Sequence, residues 1–156
     1  MSTNLDAVSS PDVDEEVAAM LTAVGQRYTS GRRRLIAALQ KGDGPLTTHE
    51  IAAVDTTLAQ SSIYRNLTLL EDAGAVTRIV TNDDFARYEL AEGLTEHHHH
   101  LICTQCGAVL DFELDHGTES TLDKALHRAA ESAGFITTSH RLDLLGICSS
   151  CGAENG

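Results

Sequence analysis

Cys103-x-x-Cys106 and Cys148-x-x-Cys151 use all four cysteines of the chain in two matched pairs. Each pair sets two thiolates on one tight turn, and two such turns brought together make the tetrahedral sulfur cage that a structural Zn²⁺ takes. A redox couple of the thioredoxin type needs only one pair beside a βαβ unit, so two pairs read as metal ligands ahead of redox or disulfide use. Just upstream stands His97-His98-His99-His100. An imidazole binds metal through one nitrogen, and four in succession cannot all reach one ion. On a strand, side chains alternate, which sends His97 and His99 to one face and His98 and His100 to the other. The run then seeds two further sites. It lies inside the chain, before Leu101 and Ile102, whereas a purification tag sits at a terminus.

The elements that must position these groups fit in 156 residues of 42% hydrophobic content, room for one ordinary domain or two small ones. No apolar run approaches the roughly 20 residues of a membrane span, and the acidic N-terminus lacks the order of a signal peptide. A cytoplasmic protein is expected, with no membrane partner. Reducing conditions there also favour thiolate ligands over disulfides. A net charge of −12 argues at first against nucleic acid, whose binding depends on neutralising phosphates. The distribution argues otherwise. Asp6, Asp12, Asp14, Glu15 and Glu16 crowd the first 26 residues, while Arg27, Arg32, Arg33, Arg34 and Lys41 follow with no acid among them. Bases gathered on one face suffice for DNA, and surplus acid elsewhere weakens non-specific binding.

Residues 1–15 read as a disordered acidic tail. Helices are expected from Val17 to Val24 and from Ser30 or Gly31 to about Gln40, the second burying Leu35, Ile36 and Leu39. Thr47-Thr48-His49-Glu50 has the form of a capping box and opens a short helix to about Val54. A further helix begins at Gln60 or Ser61, carries Ile63, Leu67 and Leu70 as its apolar stripe, and ends at Gly74. Ser62, Tyr64, Arg65 and Thr68 are left on its outer side. Two helices of this kind make a helix-turn-helix, and the strands Ala75–Val80 and Phe85–Leu90, turning at Thr81–Asp84, add the hairpin of a winged helix. Ala91 to Glu96 reads as a hinge. Beyond it come the histidine strand, a strand over Gly107–Glu113, an amphipathic helix over Thr121–Ala133 and a last strand over Phe135–Cys148 carrying His140.

From about Arg27 to Gly152 the chain resembles the ferric uptake regulator family of metal-dependent transcription factors. The residues that carry the resemblance are Ser62-Ile63-Tyr64-Arg65-Asn66-Leu67, Tyr88-Glu89-Leu90, the block from His97 to Gly107, and Gly134-Phe135, His140 and Cys148-Ser149-Ser150-Cys151. The resemblance implies an α+β protein: a winged helix-turn-helix domain over 16–91, a hinge at 92–96, and a small α/β dimerisation and metal-binding domain over 97–156 with a four-cysteine zinc site. It assigns structural zinc to Cys103, Cys106, Cys148 and Cys151. A sensing site takes His98, His100, Asp111 and Glu89, with Glu92 and Glu96 as alternatives on the wing side. A second site takes His97, His99, His140 and a helix carboxylate, Asp123 or Glu119. Where many members carry a histidine early in the DNA-binding domain, this chain has Pro45, and nearby His49 reads as a surface residue.

The implied function is that of a homodimeric repressor of metal-uptake genes that binds a palindromic operator in double-stranded DNA when metal-loaded. Tyr64, Arg65 and Ser62 face the major groove, Arg27 the minor groove, and Arg32 a phosphate. Carboxylates at the sensing site favour iron, with manganese possible, whereas the histidine run favours zinc, which is taken ahead of iron. A peroxide sensor of the same fold is the near alternative. A zinc hydrolase needs an open coordination position and a nearby general base, and its common H-x-H-x-D-H pattern finds Leu101 and Ile102 where the aspartate would stand. A redox-controlled zinc chaperone accounts for the cysteines but leaves the winged helix without a role.

Overall fold

The computed structural model describes residues 10–81 and 84–154, which divide into two compact units between Glu96 and His97. Helix α1 (Ser10–Ala23) opens the first unit, so helix replaces the second part of the expected acidic tail, and residues 1–9 lie outside the described residues. The physical reason is spacing. Val13, Val17 and Leu21 recur at i, i+4 and i+8, forming one stripe that the surrounding acids obscure in composition, and all three are buried. Asp14 pins the helix from its polar side. The Tyr28 hydroxyl donates to its carboxylate, and Arg33, 4.2 Å above the Tyr28 ring, pairs with it at 3.6 Å. Burial, and then Asp14, push the Tyr28 hydroxyl well above its ordinary pKa.

Helix α2 (Ser30–Lys41) buries Leu35, Ile36, Ala38 and Leu39. Helix α3 (Thr48–Val54) starts at a complete capping box: the Thr47 hydroxyl accepts from Glu50 N at 3.1 Å, and Thr47 N donates to Glu50 Oε2 at 2.8 Å. Such a cap contributes about 1 kcal/mol. Helix α4 (Gln60–Asp72) buries Ile63, Leu67 and Leu70, and Gly74, at φ +80°, supplies the left-handed turn that ends it. Gly74 N and Ala75 N then satisfy the carbonyls of Glu71 and Leu70, both at 2.9 Å. Strands β1 (Leu46–Thr47), β2 (Val76–Val80) and β3 (Ala86–Leu90) form an antiparallel sheet in the order β1-β3-β2. Two-residue β1 has no sequence signature; its pairing with Tyr88 and Arg87 makes it a strand. Helix, strand, two helices and a hairpin in this order make a winged helix. The segment expected as a hinge belongs to this core, since Leu94 is buried in it and Ala91 N donates to Ala75 O at 2.9 Å.

In the second unit β4 (His99–Cys103) is central, antiparallel to β5 (Val109–Phe112) and parallel to β6 (Asp143–Gly146). Helix α5 (His116–Ser132) begins five residues before the expected Thr121, because Asp115 caps it by accepting from Thr118 N at 3.0 Å. The expected strand over Phe135–Cys148 contracts to β6. Pairing, not β-propensity, defines a strand, and five-residue β4 offers partners only from Asp143 to Gly146. The strand expected from Gly107 shortens to β5 in the same way. The histidine strand begins at His99 rather than His97, and a short helix α6 (Ser149–Glu154), absent from the sequence reading, carries the last cysteine. Buried apolar residues here are only Ile102, Cys103 and Cys151, whereas Leu101, Leu110, Leu126, Phe135, Ile136, Leu144, Leu145 and Ile147 are exposed. No helix among the described residues is long and apolar enough to cross a membrane.

Candidate metal centres and nucleic-acid face

Cys103 ends β4, and the turn after it brings Cys106 back, with Gly107 N donating to Cys103 O at 3.0 Å and Gly107 in the left-handed region at φ +74°. Cys148 and Cys151 flank the start of α6. All four thiols are free, and their sulfurs lie within 4.8 Å of one another. Cys106 Sγ and Cys148 Sγ are 3.7 Å apart. A tetrahedron with Zn–S bonds of about 2.3 Å has edges of about 3.8 Å, so the spacing fits zinc. The backbone N–H groups of Cys106, Cys148 and Gln105 lower the Cys103 thiol to about 6, while hydrogen bonds with Cys148 and Cys106 push Cys151 up to about 12. One sulfur is thus poised as a thiolate before any cation arrives. Another needs a cation to lose its proton.

Alternation separates the histidines even though His97 and His98 precede the strand. His97 Nε2, His99 Nε2 and His140 Nε2 approach the Glu119 carboxylate at 3.0, 2.8 and 2.8 Å. His140 Nε2 is buried and outside hydrogen-bonding geometry despite that short distance. Three imidazole nitrogens and an oxygen therefore converge as ligands around a point, the N3O set that zinc accepts. The alternative carboxylate, Asp123, stands one helical turn on and lies 3.4 Å from the other nitrogen of His140, Nδ1. Glu119 is held below the usual carboxylate range, chiefly by its hydrogen bond with His99.

On the opposite face of the sheet His98, His100 and Asp111 bring their donor atoms within 4.8 Å of one another. The strand register explains it: His100 on β4 is level with Asp111 on β5 and Asp143 on β6, in one row across three strands. His100 is buried, with Nε2 3.7 Å from Asp111 Oδ1 and Nδ1 3.2 Å from Asp143 Oδ1. Arg141 Nε in turn donates to Asp143 Oδ2 at 3.1 Å. The sequence reading omits Asp143, because only a parallel register brings a residue 43 positions away beside His100. Glu89 lies on β3 of the first unit, opposite Thr77, while Glu92 opens a 3₁₀ turn and Glu96 is exposed.

On α4, Tyr64 and Arg65 are exposed and Ser62 is half-buried; His49 is exposed, Pro45 buried, and Arg27 exposed ahead of α2. Arg32 is spent within the unit. Its Nε donates to Asn66 Oδ1 at 3.1 Å and its Nη1 to Arg27 O, so it ties the arm to α4 instead of presenting its head group. Arg34 forms a two-pronged pair with Asp55, 3.0 Å on each prong.

Residues 23–145 match the Ferric uptake regulator family. The chain belongs to that family. It is 32% identical over 136 residues to the ferric uptake regulation protein of Bordetella parapertussis, covering 84% of this chain and 93% of the relative. A peroxide-responsive repressor, PerR, of Staphylococcus epidermidis is 27% identical over 99% of both chains. Among solved structures, the Vibrio cholerae ferric uptake regulator superposes with a TM-score of 0.65 at 27% identity, covering 83% of this chain and 98% of that one. The ferric uptake regulator family accounts for the winged helix and the cysteine cluster together. This member is accordingly a metal-sensing transcriptional regulator and not an enzyme, which removes the hydrolase alternative.

Proposed function

We propose that the chain is a homodimeric, metal-dependent repressor of metal-uptake genes, with structural zinc on Cys103, Cys106, Cys148 and Cys151. The observation that carries the reading is the pair of oxygen-and-imidazole donor sets on opposite faces of one sheet, in a chain whose other unit is a winged helix with Tyr64 and Arg65 exposed on α4. The set of His98, His100 and Asp111 is the regulatory site, completed from the wing by Glu89, with Glu92 and Glu96 as alternatives. A ligand set drawn from two units binds metal well in only one arrangement of them, and a dimer fixed in one arrangement fits half-sites at one spacing. Metal thereby selects the operator-binding form, on a palindromic site. Tyr64, Arg65 and Ser62 read the major groove and Arg27 enters the minor groove. The uncovered apolar side chains of the second unit support dimerisation, since a contiguous exposed apolar surface marks an interaction site.

Zinc is taken ahead of iron as the regulatory metal, with manganese a third option: the N3O set around Glu119 suits zinc, and the oxygen of Asp111 suits the harder cations. The cysteine set holds its ion for folding, while the imidazoles and carboxylates supply reversible binding. The test is a mobility-shift assay on DNA upstream of the coding region, comparing metal-loaded protein with protein stripped by a mild chelator. Tighter binding of the loaded form is expected, and equal binding by both sinks the reading. The peroxide-sensing alternative is supported by the similarity to PerR. Oxygen added to ligand histidines, seen by mass spectrometry after peroxide treatment of iron-loaded protein, would decide for it.

Glu119 is the ligand of the second site and Asp123 the group that orients His140. Glu119→Ala should bind one zinc equivalent fewer than wild type at the same free zinc, measured by competition with a chromophoric chelator. Asp123→Ala should keep that equivalent with affinity lowered about tenfold, the lower end of what orienting carboxylates contribute. An equal loss in both variants would erase the distinction.

A further inference from the structure

Two carboxylates flank one buried imidazole in the row Asp111–His100–Asp143, and they are not equivalent. Asp143 Oδ1 is 3.2 Å from Nδ1, within hydrogen-bond reach, whereas Asp111 Oδ1 is 3.7 Å from Nε2, beyond it. A neutral imidazole has a single N–H, and it goes to the acceptor in reach. Arg141 lies against Asp143 alone, with Nε 3.1 Å from Oδ2 and 3.4 Å from Oδ1. That contact fixes the carboxylate's orientation and occupies the oxygen turned from His100. It also makes Asp143 a poorer metal ligand than Asp111, because its charge is already shared with a guanidinium.

We propose that Asp143, held by Arg141, is the positioning residue that keeps His100 in the Nδ1–H form, so that Nε2 offers its lone pair beside Asp111 to a divalent cation. The inference rests on the reading of His98, His100 and Asp111 as a regulatory site. Asp143 itself does not touch the cation. Its action is to settle the tautomer in advance: without an acceptor at Nδ1 the proton favours Nε2, and the ring must then exchange it before binding. Carboxylates that orient ligating histidines typically raise metal affinity 10- to 100-fold.

The test uses the full-length chain with its cysteine-bound zinc in place and the other sites stripped. Nitrogen-15 spectra of the histidine rings, taken at a pH where His100 is neutral, report its tautomer without any added metal. Zinc titration followed on the same His100 cross-peaks then reports that site alone. In wild type the Nδ1–H form is expected. Asp143→Ala should convert the ring to the Nε2–H form and weaken zinc binding at His100 by 10- to 100-fold. Asp143→Asn retains an acceptor oxygen, so it should keep the Nδ1–H form and lose less than tenfold. An unchanged tautomer in Asp143→Ala overturns the proposal. So does equal weakening in the alanine and asparagine variants, which would make Asp143 a ligand. If wild-type His100 cross-peaks do not respond to zinc, iron or manganese, the regulatory-site reading fails, while the tautomers still decide what Asp143 does.

Discussion

Cys103→Ser should abolish the folded second unit while leaving the winged helix intact. The buried apolar residues of that unit are Ile102, Cys103 and Cys151, and two of the three belong to the cysteine cluster. Apolar burial within one copy is therefore small, and the cross-link through the metal must supply what a larger core would. Structural zinc contributes about 10–16 kcal/mol in small zinc-folded peptides, comparable to the 5–15 kcal/mol of net stability of a whole domain. A serine hydroxyl keeps its proton near neutral pH, so Cys103→Ser replaces a thiolate by a neutral oxygen. Cys103 is also the thiol lowered to about 6 by three backbone N–H groups, and the one that accepts from Cys148 N at 3.3 Å across the cluster. Calorimetry should show one transition in place of two. The survivor belongs to the first unit, whose core runs from Val13 in α1 through Leu35, Ile63 and Leu70 to Leu94. Native mass spectrometry should show a monomer with one zinc fewer. A variant that melts in two transitions, with its zinc retained, would show that the cysteines do not hold the fold.

The winged helix was legible because its signals are local. The Thr47 and Glu50 capping box, the Ile63, Leu67 and Leu70 stripe, and the Gly74 terminus each depend on residues within one or two turns, and each recurs in the structure with the expected partners. What the sequence left hidden depends on pairing across distance. β1 exists only against β3, and β6 ends where β4 runs out of partners. Phe135 to Thr138 has the β-branched and aromatic content of a strand yet pairs with nothing among the described residues, with Ile136 91% exposed. The alternation of the histidines survived a shortened strand because extended backbone suffices to separate the faces. Asp143 could not be read, since it becomes a neighbour of His100 only through the parallel register. Arg32 shows the reverse error. Composition groups it with the other bases of the 27–41 stretch as a phosphate ligand, whereas Asn66 and the Arg27 carbonyl draw it inward as a brace.

His98→Ala should leave both melting transitions in place and remove the metal dependence of DNA binding. His98 is half-buried, precedes the first residue of β4, and makes its ring contact with His100, the centroids 5.1 Å apart. Truncation there removes a ligand without opening the core, and substitutions of that kind usually change stability by no more than about 0.5 kcal/mol. The regulatory effect should be lost almost entirely. Coupling between two sites is typically 1–3 kcal/mol, or 5- to 150-fold in affinity, and it reaches the second ligand only through differential binding of the first. With one imidazole gone, the remaining donors in the second unit are His100 and Asp111, too few to distinguish one arrangement of the two units from another. Operator affinity measured with and without metal should then differ by less than about twofold, against a wild-type ratio in the 5- to 150-fold range. Glu89→Ala should behave in the same way, with Glu92→Ala and Glu96→Ala close to wild type, because the regulatory reading takes its wing ligand at Glu89. His97→Ala separates the sites: its Nε2 approaches Glu119 on the other face, so it should lower zinc uptake there while metal still promotes DNA binding. If His97→Ala and His98→Ala lost regulation equally, the division of the histidine run into two sites would be wrong.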